Sequence, residues 1–201
     1  MRILHITTAH RADDARIFHK ECGSLWRAGY DVALVAPGEA QAATAERPAV
    51  IGLGRFGSRI GRMLQSPWRV LRILVRERPQ LIHIHDPELL LLVVPARLMG
   101  CRVVYDAHED APRHITSKPY IPAAVRPLVA RTFEIFENLM TRLCGLVVAA
   151  TPDIAARFTK EGRRTICVRN FAIGSEFSQG AAERERSLVY IGGLRADRGI
   201  Y

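Results

Sequence analysis

Three ionisable side chains crowd one short stretch. In LIHIHDPELLLL, residues 81–92, His83, His85 and Asp86 interrupt an otherwise apolar run. Histidine and carboxylate together can hold a metal, move a proton or hydrogen-bond the hydroxyls of a ligand, and each task needs different surroundings. His83 and His85 alternate onto one side of a strand, and Asp106 and His108 in YDAHED repeat the spacing. His-x-His at a strand end opens many metal-dependent hydrolases, but those use a closed barrel of eight strand–helix units, for which 201 residues are too few. No metal is therefore expected, and His83 alone reads equally well as a hydrogen-bonded core residue.

The cysteines support that expectation. Cys22, Cys101, Cys144 and Cys167 show no CxxC spacing, which fits reduced thiols in a cytosolic protein rather than a zinc-thiolate centre. The opening MRILHITTAH is too short and too polar for a secretory signal. The longest apolar run, Leu89 to Ala96, is far below the ~20 residues of a membrane span. A soluble, cytoplasmic chain is expected.

The elements that must position these residues follow from periodicity. Strands are expected at 2–7, 31–36, 49–53, 81–85, 102–106, 146–150 and 165–168, and helices at 15–28, 57–77 (interrupted at Ser66-Pro67), 87–99, 122–144 and 152–160. Short, nearly continuous apolar strands alternating with helices specify an α/β fold, a Rossmann-like, doubly wound parallel sheet covered on both faces. Ligands of such sheets bind beyond the carboxyl ends of the strands. Those ends carry TTAHRADD at 7–14, HIHDPE at 83–88, YDAHED at 105–110 and ATPD at 150–153. The histidines and carboxylates thus converge on one cleft. The first turn, TAHRADDAR, lacks the glycines of a dinucleotide-binding loop, and Asp13 and Asp14 read more simply as caps of the following helix.

Five segments in order, RIFHKECGSLWRAGYDVALVAP, HIHDPELLLL, YDAHEDAPRHITSKPYIP, AATPDIAARF and YIGGLRADRGI, resemble the N-terminal half of a bacterial glycosyltransferase of family 4, of GT-B architecture. The resemblance implies an acceptor-side domain over residues 1–170, a linker over 171–187 and the start of a nucleotide-sugar-binding domain over 188–201. It implies transfer of a sugar from a nucleotide-diphosphate sugar to a glycan or lipid-linked acceptor, with the anomeric configuration retained. Cell-surface polysaccharide biosynthesis is the implied setting. No cofactor is implied, the nucleotide sugar being a co-substrate.

By the same resemblance His108 matches the histidine that reaches toward the donor sugar, where positioning lowers the barrier. Glu109, Asp110, His85, Asp86 and Asp13 would shape the acceptor side of the cleft. For Asp86 a cap on the helix beginning at Pro87 is an equally good reading. The loop GGLRADRG departs from the family pattern: Gly193 stands at the arginine position, Arg198 at the lysine position, and Arg195 is the candidate replacement toward the donor phosphates. The family's E-x7-E carboxylate pair is not in this sequence, so the chain alone is expected to fold without transferring sugar.

The formal net charge is +9, and eight arginines fall between Arg47 and Arg78 against one acidic residue, Glu77. With Ser66 as cap and Pro67 in the first turn, Arg69, Arg72 and Arg76 would share one helix face bordered by Trp68. This pattern suggests an anionic membrane surface at the inner face of the plasma membrane. Nucleic acid is not expected as a partner, since aromatic residues are 7% and no stacking platform appears. The competing reading is a non-catalytic module that binds sugar or anionic lipid.

Overall fold

The computed structural model describes residues 1–118, 120–172, 186 and 190. Seven strands form one all-parallel sheet: β1 (Arg2–Ile6), β2 (Asp31–Ala36), β3 (Ala49–Gly52), β4 (Leu81–Ile84), β5 (Arg102–Ala107), β6 (Leu146–Ala149) and β7 (Thr165–Cys167). Their spatial order is β3-β2-β1-β4-β5-β6-β7, so the chain winds outward from β1 in one direction and then from β4 in the other. The switch point lies between β1 and β4, where His5 pairs in register with His83. A crevice opens there by topology alone.

Side-chain alternation divides the core between the two faces of the sheet. Leu4, Ile6, Ala33, Val35, Ile82 and Ile84 point into one apolar cluster. That face is covered by α2 (Arg59–Glu77), α3, α5 (Arg126–Thr141) and α6 (Pro152–Lys160), where α3 is a 3₁₀ turn over Pro87–Leu92 continued as an α-helix over Val93–Leu98. Ile3, Val32 and Leu34 point the other way, against α1, with Ile17, Phe18 and Cys22. Helix α1 is π-helical over Ala15–Cys22 and α-helical over Gly23–Arg27. The doubly wound sheet is as expected.

Several element boundaries differ from those read in the sequence. Helix α2 is continuous: Ser58, not Ser66, caps it, accepting from Gly61 N at 3.0 Å, while Pro67 lies inside and Ser66 is fully buried. Pro67 costs the helix one backbone hydrogen bond, which the burial of Val70, Ile73 and Leu74 on the sheet offsets. The helix stops at Arg78, which adopts a left-handed conformation (φ 46°) ahead of Pro79. In α3 the first turn tightens because Pro95 has no N–H for the Leu91 carbonyl. A short α4 (Ala111–Thr116) occupies a stretch expected to be loop, and α5 starts at Arg126 rather than 122. Six residues are too few to show helical periodicity, although Asp110 and Pro112 form an ordinary helix start. Among the described residues no helix is long and apolar enough to cross a membrane. Apart from Tyr190 the expected strand at 188–191, and nearly all of the expected linker, lie outside the described residues.

Candidate functional site

The loop after β1 is held by Asp86. One of its oxygens accepts from Thr7 Oγ1 at 2.9 Å, from the Thr8 N–H and from Ala9 N at 3.2 Å. The carboxylate is 2% exposed and does not cap the helix at Pro87, because these donors from the neighbouring strand end claim it first. Asp86 therefore fixes the β1 wall of the crevice, and it also lines the larger of the cavities there.

Above that wall stands His108, just past the end of β5. His10 Nε2 lies 3.2 Å from His108 Nε2, and the rings meet edge to face. Burial lowers the pKa of His108, with the charges of His10 and His85 adding to the effect, so the imidazole is neutral at pH 7. Its Nδ1 finds no hydrogen-bond partner among the described residues. A neutral imidazole can both donate to and accept from a hydroxyl, which a charged one cannot.

His108 and Glu109 sit where two cavities meet. One, of about 570 Å³, is walled by Met63, Ile121, Val129 and Phe133 and carries His108, Glu88 and Tyr120 among its polar lining. The guanidinium of Arg59 stacks on Tyr120 at 4.8 Å, and Arg62 pairs with Glu88 at 3.0 Å. The other, of about 250 Å³, is lined by His10, Asp14, Arg16, Glu109 and Asn170. A wider, open depression of about 710 Å³ beside them presents Arg55, Arg59 and Arg62. Together they offer an apolar wall, a neutral histidine at the junction and a basic rim. That combination suits an amphipathic ligand with a polar end at His108.

Other residues picked from the sequence fall differently. Glu109 faces both cavities but is exposed and bonds His114 Nδ1 at 2.9 Å. Asp110 lies on the far side, where it caps α4 and accompanies Arg113 and Arg157. Asp13 is mostly exposed and pairs with Arg11 at 2.9 Å; Asp14 alone caps α1, accepting from the N–H groups of Arg16 and Ile17. The difference is one of position, since only the residue directly before a helix can reach its first free N–H groups. Gly193, Arg195 and Arg198 lie outside the described residues.

His85 is fully buried beneath the crevice, not on its floor. Its Nδ1 lies 3.1 Å from Asp106 Oδ2 and its Nε2 lies 3.0 Å from His5 Nδ1. Asp106 is gripped by Arg16, whose Nε and Nη2 donate at 3.0 and 2.9 Å while Nη1 donates to the Val168 carbonyl at 2.9 Å. Burial raises the Asp106 pKa, but hydrogen bonds from His85 and Arg16 outweigh it and hold the carboxyl well below the usual range. Glu21 experiences the opposite balance: burial and the nearby Asp106 charge push it up to about 9. His83 is held down to about 3 by burial and by His85. Of the pairing of His83 and His85 with Asp106 and His108, weighed from spacing, the contact of His85 with Asp106 forms, while His108 stands apart with His10. His5 and Glu21 take its place. Arg16 and Glu21 carry no motif; the signal would have been two charged residues on the otherwise apolar inner face of α1.

A family model, Glycosyltransferase Family 4, matches residues 15–170. No curated protein matches. Among solved structures, sucrose-phosphate synthase from Thermosynechococcus elongatus superposes with a TM-score of 0.61 at 13% identity, covering 84% of this chain and 47% of that one. UGT2 of Phytolacca americana, complexed with UDP-2fluoro-glucose and pterostilbene, gives 0.57 at 11% identity, covering 87% and 55%. Anabaena Alr3699/HepE, in complex with UDP and glucose, gives 0.52 at 16% identity, covering 85% and 44%. The chain spans about half the length of the first of these. At such identities the structural likeness establishes the fold, that of one GT-B domain, and the family match, which runs from the start of α1 to just past β7 and includes His108, establishes kinship: this chain belongs to Glycosyltransferase Family 4.

Proposed function

We propose that this chain forms the acceptor-side domain of a glycosyltransferase that moves a sugar from a nucleoside-diphosphate sugar to a glycan or lipid-linked acceptor in cell-surface polysaccharide assembly. The observation that carries the reading is the neutral His108 at the junction of two cavities beyond the strand ends. A sugar hydroxyl hydrogen-bonded there would be fixed in orientation, and positioning of this kind supplies several kcal/mol of a barrier. The apolar wall of the larger cavity suits the hydrophobic part of an acceptor, and the arginines at its rim suit phosphate. The donor diphosphate is assigned to Arg195 and Arg198 beside Gly193 on the strength of the sequence pattern, and the transfer is assigned no metal or other cofactor. Titration with alkyl glycosides and with uridine- and guanosine-diphosphate sugars, followed by NMR, tests it. Shifts centred on His108, Tyr120 and Phe133 are expected from the glycosides; a ligand footprint elsewhere would overturn the acceptor assignment.

Membrane association is a second reading, supported by a different residue set from the one the charge pattern indicates. Arg69 turns inward, donating to the Leu53 carbonyl at 2.6 Å and stacking on Phe56 at 4.7 Å, so it does not face outward. Exposed instead are Ile60, Leu64 and Trp68, at 71, 68 and 68%, spaced four apart along α2. Arg72 and Arg76 are exposed further along. Apolar side chains are worth about 1.5–3 kcal/mol each when fully buried, against ~1 kcal/mol per arginine at an anionic surface. The apolar stripe therefore contributes more to docking than charge does, and acceptors dissolved in a membrane would meet the crevice from that side.

A further inference from the structure

We infer that His5, Glu21, His83 and His85 form a binding site for one divalent transition cation of borderline softness, of which zinc is the type. It goes beyond the transfer reaction, in which these buried residues take no part. Four potential ligand atoms, one from each residue, lie within 4.8 Å of one another. Glu21 Oε2 stands 3.8 Å from His5 Nδ1, 3.8 Å from His83 Nδ1 and 3.9 Å from His85 Nε2, while His5 and His85 approach to 3.0 Å. A tetrahedral ion bound at ~2.0–2.1 Å holds its ligands ~3.3–3.4 Å apart, between these separations. To reach that geometry the three imidazoles approach Glu21 by about half an ångström while His5 and His85 move slightly apart.

Hydrogen bonding also favours an ion. No N–H of the three rings is directed at Glu21, and both of its oxygens are buried without a hydrogen-bond partner among the described residues, although Arg16 Nε lies 3.1 Å from one. His5, fully buried, and His83, 9% exposed, approach Glu21 through Nδ1, which leaves the other ring nitrogen of each outside the cluster. His85 is already oriented as a ligand, since Nδ1–H donating to Asp106 leaves the Nε2 lone pair facing the cluster. A carboxylate behind a ligating imidazole is the usual support of such a site. Three nitrogens and one oxygen, with no thiolate, select zinc, cobalt or nickel over magnesium or calcium. Four protein ligands leave no open position, so the ion would join α1 to β1 and β4 beneath the crevice and would not touch substrate.

The test uses the full 201-residue chain freed of any polyhistidine tag and stripped with chelator. Cobalt(II) titration is expected to give the intense visible bands of a four-coordinate ion, saturating at one equivalent and displaced by zinc, with a rise in Tm. Glu21→Gln, nearly isosteric, should weaken zinc binding about tenfold or more, and Asp106→Asn should weaken it about 10–100-fold. Absence of the bands in wild type, or undiminished uptake in folded Glu21→Gln, overturns the site; in the first case Glu21 holds a proton where the ion would be. Because the cobalt spectrum is read on the wild-type chain, a variant that failed to fold would not shelter the inference.

Discussion

The guanidinium of Arg16 meets both carboxylate oxygens of Asp106, at 2.9 and 3.0 Å, with the pair almost completely removed from water. The contact joins α1 to β5 across 90 residues of sequence and fixes the base on which the histidines above it rest. A pair so buried adds little net stability relative to an apolar substitute, yet removing one partner strands the other.

Arg16→Ala is accordingly expected to cost about 3–5 kcal/mol, read as a lowered urea midpoint with the slope unchanged. The double replacement Arg16→Met with Asp106→Leu should recover much of that loss. A single variant as stable as wild type would mean that Asp106 finds another donor.

In this domain joined to a nucleotide-sugar-binding domain, His108→Ala should lower kcat about tenfold or more, with Tm little changed, since one positioned contact in a cleft is worth at least ~1.4 kcal/mol. Steady-state assay against wild type decides it. Unaltered turnover removes His108 from the reaction.

Acidification should act on the same residue. The folded-state pKa of His108 is depressed below the ordinary 6.5, by burial first and then by His10 and His85, and against the opposing pull of Asp106 and Asp86. Below pH 6.5 the unfolded chain therefore binds a proton that the folded chain does not, so stability present above 6.5 falls as pH drops toward the folded pKa. The fall is at most about 1.4 kcal/mol per pH unit. An NMR titration should place the ring's midpoint below 6.5, and His108→Gln should flatten that part of the stability profile. A midpoint above 6.5 would falsify the neutral-imidazole reading.

Trp68→Ser combined with Leu64→Ser should reduce sedimentation with anionic vesicles at least about tenfold, whereas Arg69→Gln should change it little, because Arg69 is occupied by the Leu53 carbonyl. Raising the salt should weaken binding only in part, since screening acts on charge and not on apolar burial. Equal loss in both variants would restore charge as the main cause. No binding by wild type to any vesicle would remove the membrane reading.

The sheet was legible because nearly continuous apolar runs such as RILHI, DVALVA and RVVYDA alternate with helical segments, the pattern of parallel strands buried on both faces. The site was legible only in outline. His108 could be placed because a strand end is a position in the sequence, but His5, Arg16 and Glu21 act through neighbours 62 to 90 residues away, a distance no local window spans. Asp86 shows the complementary failure. The residue before a proline-led helix reads as a cap, and the donors that override this come from a strand adjacent only in the folded sheet. Arg69 was misjudged because helical phase gives a direction, while a long side chain can turn back to a nearby loop carbonyl.

The π-helical turn of α1 gives its spacing a meaning that a count of charges does not reveal. His19 N–H reaches back five residues to the Asp14 carbonyl at 3.4 Å, alongside Phe18 N to the same carbonyl at 2.9 Å. Five residues in an α-helix turn through ~500°, which would set Arg16 and Glu21 ~140° apart. In the wider turn they come close to one full revolution apart, and both meet the sheet. Such a turn amounts to one residue too many for a regular helix, so this stretch behaves as an insertion that the helix could lose without separating the two charges that flank it. Deleting His19 would let the backbone relax into a standard helix with Arg16 and Glu21 four residues apart, ~400° of turn, and so within ~40° of a common side, leaving their approach to Asp106 and the histidines in place.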